Sequence, residues 1–178
     1  MNIKITEITP EYIEKYNIKQ FLFHMIKTCY GFDYIPQYHY DIVNLKEYYI
    51  NPEKNNFYIA IDTNNDQLIG TSAIRGYDQN YSIKGKNYNK ENTASIYRVF
   101  VSSKYRHCKI GSKLVNTIEK FCKESQYNTI YLHTQKDSYG ALPFWKNNNY
   151  KITYNTHDAM GTIHMEKVLQ SIRQKFYL

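Results

Sequence analysis

The sequence predicts an α/β or α+β fold built on one mixed sheet, and three observations carry that expectation. Strand and helix patterns alternate in the second half of the chain, the middle holds two apolar runs joined by a strong turn, and no internal repeat or linker divides the 178 residues. With 42% hydrophobic and 22% charged residues, 7 Gly and 4 Pro, the composition is that of an ordinary globular domain able to build a core without metals or disulfides. A single domain over residues 1–178 is expected, with its core at about 2–170 and an amphipathic tail at 171–178.

Residues 2–8 (NIKITEI) place Ile3, Ile5 and Ile8 near period two, a half-buried strand. Thr9, Pro10 and Glu11 read as helix cap, first-turn proline and first-turn acid. Tyr12, Ile13, Tyr16, Phe21, Met25 and Ile26 then recur at helical spacing, so one helix is predicted to run to about Cys29, with Gly31 ending it. After a break at 31–36, a weaker helical pattern resumes over 40–50. Runs 57–61 and 67–74 form a hairpin around Asp62-Thr63-Asn64-Asn65-Asp66, and the polar stretch 76–93 is a long loop. Residues 94–101 (ASIYRVFV) are a strand on which Tyr97 is expected to share a face with Val99 and Val101. From Gly111 the positions Leu114, Val115, Ile118, Phe121 and Cys122 mark an amphipathic helix. A strand at 128–134, a short helix at 138–148 and strands at 150–154 and 162–169 complete the chain.

Lys and Arg outnumber Asp and Glu by 23 to 16, a formal charge of +7 that favours anionic partners. The cations are spread, with no run of five or more, which argues against a nucleic-acid tail. No apolar run approaches the ~20 residues of a membrane span, and the N-terminus lacks the build of a signal peptide. Cys29, Cys108 and Cys122 are odd in number and far apart, so neither a disulfide framework nor a zinc knuckle is indicated, and a reducing, cytoplasmic setting is expected. The six His form no metal-ligating pair, so no metal is predicted. The 20 Tyr accompany heavy use of Asn, Lys and Ile, a pattern that codon bias produces without any binding role.

Chemistry concentrates at Val99 to Leu114. A strand feeds a short turn carrying Lys104, Arg106, Lys109 and Lys113 and opens into a helix whose first amides lack intrahelical partners. Free amides, the helix dipole and added cations converge there, as a pyrophosphate requires. The glycines of a P-loop are missing, which excludes that mode of nucleotide hydrolysis.

This stretch resembles the GNAT superfamily of acyl-CoA-dependent N-acyltransferases, whose pyrophosphate loop reads [QR]-x-x-G-x-[GA] after a V-x-V-type strand. The matching residues are Arg106-His107-Cys108-Lys109-Ile110-Gly111 after Val99-Phe100-Val101. A second family landmark, a strand followed by N-x-x-A-x-x-x-Y-x-x-x-G-[FY], is similar to Ile130-Tyr131-Leu132 followed by Ser138, Ala141, Trp145, Asn149 and Tyr150. The resemblance implies a GNAT-like fold, a mixed, mostly antiparallel twisted sheet of about seven strands with about four helices, splayed between the strands at 94–101 and 128–134. It further implies acetyl-CoA as co-substrate. The pantetheine would pair with the main chain of Val99, Phe100 and Val101, and the amides from His107 through Cys108, Lys109, Ile110, Gly111 and Ser112 would hold the pyrophosphate beside Arg106. Ser138 and Trp145 fall at further cofactor positions. Lys109 stands where the family has glycine, Ser138 where it has Asn, and Trp145 where it often has the Tyr that protonates the departing thiolate.

Acyl transfer needs a neutral amine, a polarised carbonyl and a stabilised thiolate. The resemblance assigns the oxyanion hole to a main-chain N–H of the 99–101 strand. Tyr97, where related enzymes often carry a Glu, is a poor base that could order a water. His133 has a suitable titration range, and Tyr139 is the substitute acid preferred for its closeness to the thiolate end. The resemblance implies that the acceptor meets the segment holding Tyr30, Asp33, Tyr34 and Asp41, loop 77–92 and His133. The expected activity is acetylation of a primary amine, most readily of a small molecule, in a ternary complex. A protein N-terminus or lysine as acceptor, and a CoA-binding protein with weak or lost catalysis, are the alternatives. No nucleic-acid or membrane partner is expected, and the chain is expected to be a monomer or a homodimer.

Overall fold

Thr9 caps the first helix as its hydroxyl accepts from the Tyr12 amide, and Pro10 occupies the first helical position, so strand β1 (Ile3–Glu7) turns at once into α1 (Pro10–Lys15). The chain does not continue as one helix. Asn17 adopts a left-handed conformation, φ +44°, which ends α1 and restarts the chain as α2 (Ile18–Tyr30). Asn tolerates that region better than other residues with a side chain, so a helical periodicity that runs straight through 17 conceals the break. A second asparagine, Asn44, separates α3 (Pro36–Val43) from α4 (Leu45–Tyr49). The chain therefore has six α-helices among its described residues, against the four expected. The computed structural model describes residues 1–138 and 140–169, and Tyr139 and the tail at 171–178 lie outside them.

The hairpin β2 (Asn56–Asp62) and β3 (Gln67–Gly76) turns at Thr63–Asp66, and β4 (Thr93–Val101) follows the long polar segment 77–92. A 3-10 turn (Ser103–Tyr105) leads into α5 (Ile110–Glu124), then β5 (Thr129–Gln135), α6 (Ala141–Asn147), β6 (Lys151–Asn155) and β7 (Thr162–Val168). The seven strands form one mixed sheet in the order β1-β2-β3-β4-β5-β7-β6, antiparallel except where β4 meets β5. The α/β fold and the mostly antiparallel sheet are thus as the sequence predicts.

Two apolar layers cover the sheet. On one face, Ile110, Leu114, Val115, Ile118 and Cys122 of α5 and Trp145 of α6 pack against Ile69, Ala94, Ile96, Ile130, Leu132 and Met165. On the other, Ile18, Leu22, Ile26, Ile42, Leu45 and Tyr49 from α2 to α4 pack against Phe57, Ile59, Ile61 and Ala73. Beside this second layer, segment 77–92 lays Tyr77, Ile83 and Tyr88 over Tyr131 of β5. No helix among the described residues is long and apolar enough to cross a membrane.

Candidate functional site

The sheet opens at its centre. β4 and β5 pair only through Thr93–Ser95 against Thr129–Tyr131, and beyond Ser95 the edge of β4 from Ile96 to Val101 has no strand beside it on the β5 side. An unpaired strand edge is a row of main-chain donors and acceptors ready for an extended ligand. A bulge sits on this edge. Thr71 pairs with Phe100 and Ala73 with Tyr97, so Ser72 opposes both Arg98 and Val99. Arg98 takes φ +52°, and its carbonyl accepts from the Thr71 hydroxyl at 2.8 Å. The extra residue reverses the alternation of β4. Tyr97 lies on the α1–α4 side with Phe100, whereas Val99 and Val101 lie on the α5 side, so the face expected to be common to all three is divided between the two layers.

Past Val101 the chain forms a concave turn. His107 at φ +62° and Lys109 at φ +60° are both left-handed, and the amides from His107 through Ser112 have no main-chain acceptor among the described residues. Alternating left-handed residues aim successive N–H groups inward, an anion-binding nest. Lys109 is the residue that immediately precedes α5, so the nest joins the positive end of a 15-residue helix. Lys104, Arg106, Lys109 and Lys113 are exposed around it, and the Arg106 guanidinium lies 3.9 Å from Cys29 Sγ at the end of α2. Lys109 thus does adopt the conformation that a glycine would take there. Gly111 is needed for space. A Cβ on it would stand 3.0 Å from the Phe144 ring, so its absence lets α6 lie against the first turn of α5. Ser138 is half-buried in the turn before α6, its amide on the Gln135 carbonyl at 3.1 Å. Trp145 is core, 7% exposed and set edge-on between Phe144 and Tyr150. Tyr139 lies outside the described residues.

The α1–α4 side of the opening is held by ion pairs. Asp41 of α3 is buried and receives Arg98 Nε at 3.1 Å together with the Tyr49 hydroxyl, and Arg98 also donates to the Tyr38 carbonyl. Burial alone would raise the Asp41 carboxyl, but hydrogen bonds and charge from Arg98 outweigh it and hold the group below its usual range. Tyr97 donates to Asp78 at 2.6 Å beneath the Arg75 guanidinium, which is 4.0 Å from the Tyr97 ring centre. Burial pushes the Tyr97 phenol up to about 12, so it stays protonated near neutrality.

His133 is reachable by water yet sits within the cleft, where surrounding protein, then His164 and Arg98, lower it to about 4. The ring is therefore neutral at pH 7. His164 is buried with Nδ1 2.6 Å from the Tyr131 hydroxyl. Tyr30 stands edge-on to Phe100 at 6.3 Å, and Tyr34 edge-on to Phe23 at 5.6 Å. Asp33 points outward and pairs with Lys27 at 2.8 Å. Arg98, Tyr81 and His164 join the site without having been marked in the sequence. The signal for Arg98 is legible in retrospect, since the apolar positions of ASIYRVFV slip from Ala94 and Ile96 to Val99 and Val101 across it. Tyr81 and His164 have no local signal, because the pairing of β5 with β7 and the path of the loop bring them in.

Among the described residues no group of three His, Cys, Asp or Glu could hold a metal ion. No protein of curated function matches the chain significantly. Solved structures share the fold. An acetyltransferase of the GNAT family from Staphylococcus aureus Mu50 has a TM-score of 0.73 at 22% identity, covering 95% of this chain and 100% of the other. The PaiA N-acetyltransferase of Thermoplasma acidophilum, solved with coenzyme A, gives 0.71 at 21% identity over 95% and 100%. An aminoglycoside 6′-N-acetyltransferase complexed with coenzyme A gives 0.65 at 21% identity over 93% and 96%. The sequence model of the acetyltransferase (GNAT) family matches residues 19–150, from the start of α2 to the end of the α6 segment, and so takes in the bulged strand, the nest and the opening between them. The chain belongs to the GNAT acetyltransferase family.

Proposed function

We propose that this protein is an N-acetyltransferase that moves an acetyl group from acetyl-CoA to the primary amine of a small molecule by direct attack in a ternary complex. One observation carries the reading: the unpaired edge of β4 runs straight into the amide nest at His107–Ser112. That continuity suits a ligand with an extended amide-bearing arm and a pyrophosphate at its end, as coenzyme A has. Phe100 and Val101 would pair with the arm, and the nest with Arg106 and Lys109 would take the pyrophosphate. The coenzyme A complexes of the PaiA and aminoglycoside enzymes, which share this fold, support the choice of ligand.

The test is calorimetric titration of acetyl-CoA and CoA into the wild type and into Arg106→Ala/Lys109→Ala, followed by a free-thiol assay with amines. Micromolar binding weakened at least about tenfold by removal of two charge-assisted contacts supports the cofactor site. No binding of either ligand to the wild type overturns it. A second reading, a CoA-binding protein without turnover, draws on Trp145 in the core and Tyr97 locked onto Asp78. Binding without thiol release from any amine would favour that second reading.

A further inference from the structure

On the α1–α4 side, the mouth of the cleft is walled by rings. Tyr81 of segment 77–92 is 43% exposed and stands edge-on to His164 at 4.8 Å and to His133 at 5.6 Å between ring centres. Tyr154 of β6 lies 5.9 Å from His164. Tyr38 of α3 is 69% exposed. Burial raises the Tyr81 phenol, with smaller contributions from Tyr38 of α3 and from Asp158 between β6 and β7.

Three carboxylates on these walls already hold a cation. Asp41 of α3 holds Arg98 of β4, and Asp78 of the loop holds Arg75 and the Tyr97 hydroxyl. Glu166 of β7 holds Lys86 and Tyr88, and Asp158 accepts from the Thr162 amide at 3.2 Å. The two histidines that face the opening from β5 and β7, His133 and His164, are neutral at pH 7. At Asp41, Asp78 and Glu166 a polycationic acceptor would have to displace a cation already held, which is costly where the pair is buried, as at Asp41. A flat ring instead meets exposed ring edges and faces, with area to bury and favourable edge-to-face contacts to make.

The proton gives a second constraint. Attack on a thioester needs a nitrogen lone pair, and an alkyl ammonium of pKa ~10 must first lose a proton. Tyr97 is a donor in its hydrogen bond to Asp78, and His133 is too weak a base for that task. An amine attached directly to an aromatic ring arrives uncharged.

Resting on the acetyl-transfer reading above, we propose that the acceptor is an aromatic amine whose ring seats among Tyr38, Tyr81 and His133 and whose NH2 group is uncharged at neutral pH. Its nitrogen attacks the acetyl carbonyl, the N–C bond forms as the C–S bond breaks, and the proton that leaves nitrogen ends on the thiolate sulfur. Amide and free CoA thiol are the only products.

The experiment compares thiol release from acetyl-CoA with p-anisidine, spermidine and kanamycin between pH 6 and pH 8, with acetyl-CoA binding measured separately by calorimetry. The expected result is a kcat/KM for p-anisidine at least about tenfold above both polyamines, with little change across that pH range, because its nitrogen does not titrate there. Tyr81→Leu should raise the KM for p-anisidine about three- to tenfold, the worth of one aromatic contact, with acetyl-CoA affinity unchanged, and Tyr81→Phe should restore it. Preference for spermidine or kanamycin overturns the proposal and leaves the transferase standing. So does a p-anisidine rate that climbs about tenfold per pH unit, the signature of a group that must be deprotonated first. Acetyl-CoA binding with no thiol release from any of the three overturns the acceptor assignment. Absence of acetyl-CoA binding overturns the transferase reading itself.

Discussion

A left-handed backbone costs a residue with a side chain about 1–2 kcal/mol, so Arg98, His107 and Lys109 each need something to hold them there. For Arg98 the holder is visible: Asp41 grips its guanidinium on one side and Thr71 its carbonyl on the other. Asp41→Asn leaves a buried guanidinium without its counter-ion and should cost about 3–5 kcal/mol in urea denaturation, while Asp41→Leu/Arg98→Met should recover much of that loss. The sign of the pH dependence follows from Asp41 being held below its ordinary value. A depressed carboxyl stabilises the fold above the unfolded pKa of about 4, and that contribution is lost as pH falls through the lower folded value. Wild-type stability should therefore fall more steeply below about pH 4 than that of Asp41→Asn, which denaturation at pH 3 and pH 6 would compare. The Lys109 carbonyl accepts the Lys113 amide at 3.0 Å, but its side chain has no partner among the described residues. Lys109→Gly should raise stability by about 1 kcal/mol as the strain is relieved, yet weaken CoA binding and flatten its salt dependence as one cation leaves. A variant that lost both stability and affinity would show that the lysine is held by a contact that outweighs its strain.

At the scale of elements, the site is a consequence of how α5, α6 and β4 meet. Gly111 is where α6 comes closest to the start of α5, with the Phe144 ring over it. Gly111→Ala should push α6 outward, cost about 1–3 kcal/mol in denaturation and weaken CoA affinity, and Phe144→Leu on the same background should return part of both. A Gly111→Ala variant of unchanged stability and affinity would show that α6 gives way freely. The sequence made most of these elements legible because periodicity is written locally. The strands, the hairpin turn at 62–66 and the amphipathic stripe of α5 all lie where their apolar spacing puts them. What periodicity hid were Asn17 and Asn44, which turn the backbone between helices while leaving the apolar spacing intact, whereas the bulge at Arg98 left its mark as a one-residue slip in that spacing. The basic turn before α5 was equally legible, since its cations, Lys104, Arg106, Lys109 and Lys113, fall within ten residues of the chain. The acceptor side was not, because Asp41 meets Arg98 across 57 positions and His133 meets His164 only through strand pairing.

At the scale of the whole molecule, the sheet is two halves that share a short seam. β1 to β4 pair along nearly their full lengths, as do β5, β7 and β6, whereas three residue pairs join β4 to β5. The layers keep the halves together, chiefly α5, whose buried stripe touches side chains from both. The exposed edges of the seam should then be the sheet's weakest region, since main-chain groups open to water exchange by small local motions. A ligand lying along β4 and reaching the nest would cover one of those edges and fasten the loop before α5. At a hundred times its dissociation constant, such a ligand adds about 2.7 kcal/mol to the stability of the folded state. In a domain of this size that corresponds to a rise of about 5–10 °C in Tm. Hydrogen exchange with and without saturating CoA should show slowed amides concentrated at 96–101 and 107–112, with β1 and β6, at the far edges of the sheet, little changed. Protection centred on the loop 77–92, with the strand edge and nest unaffected, would place the nucleotide on the acceptor side and remove the cofactor assignment made for β4.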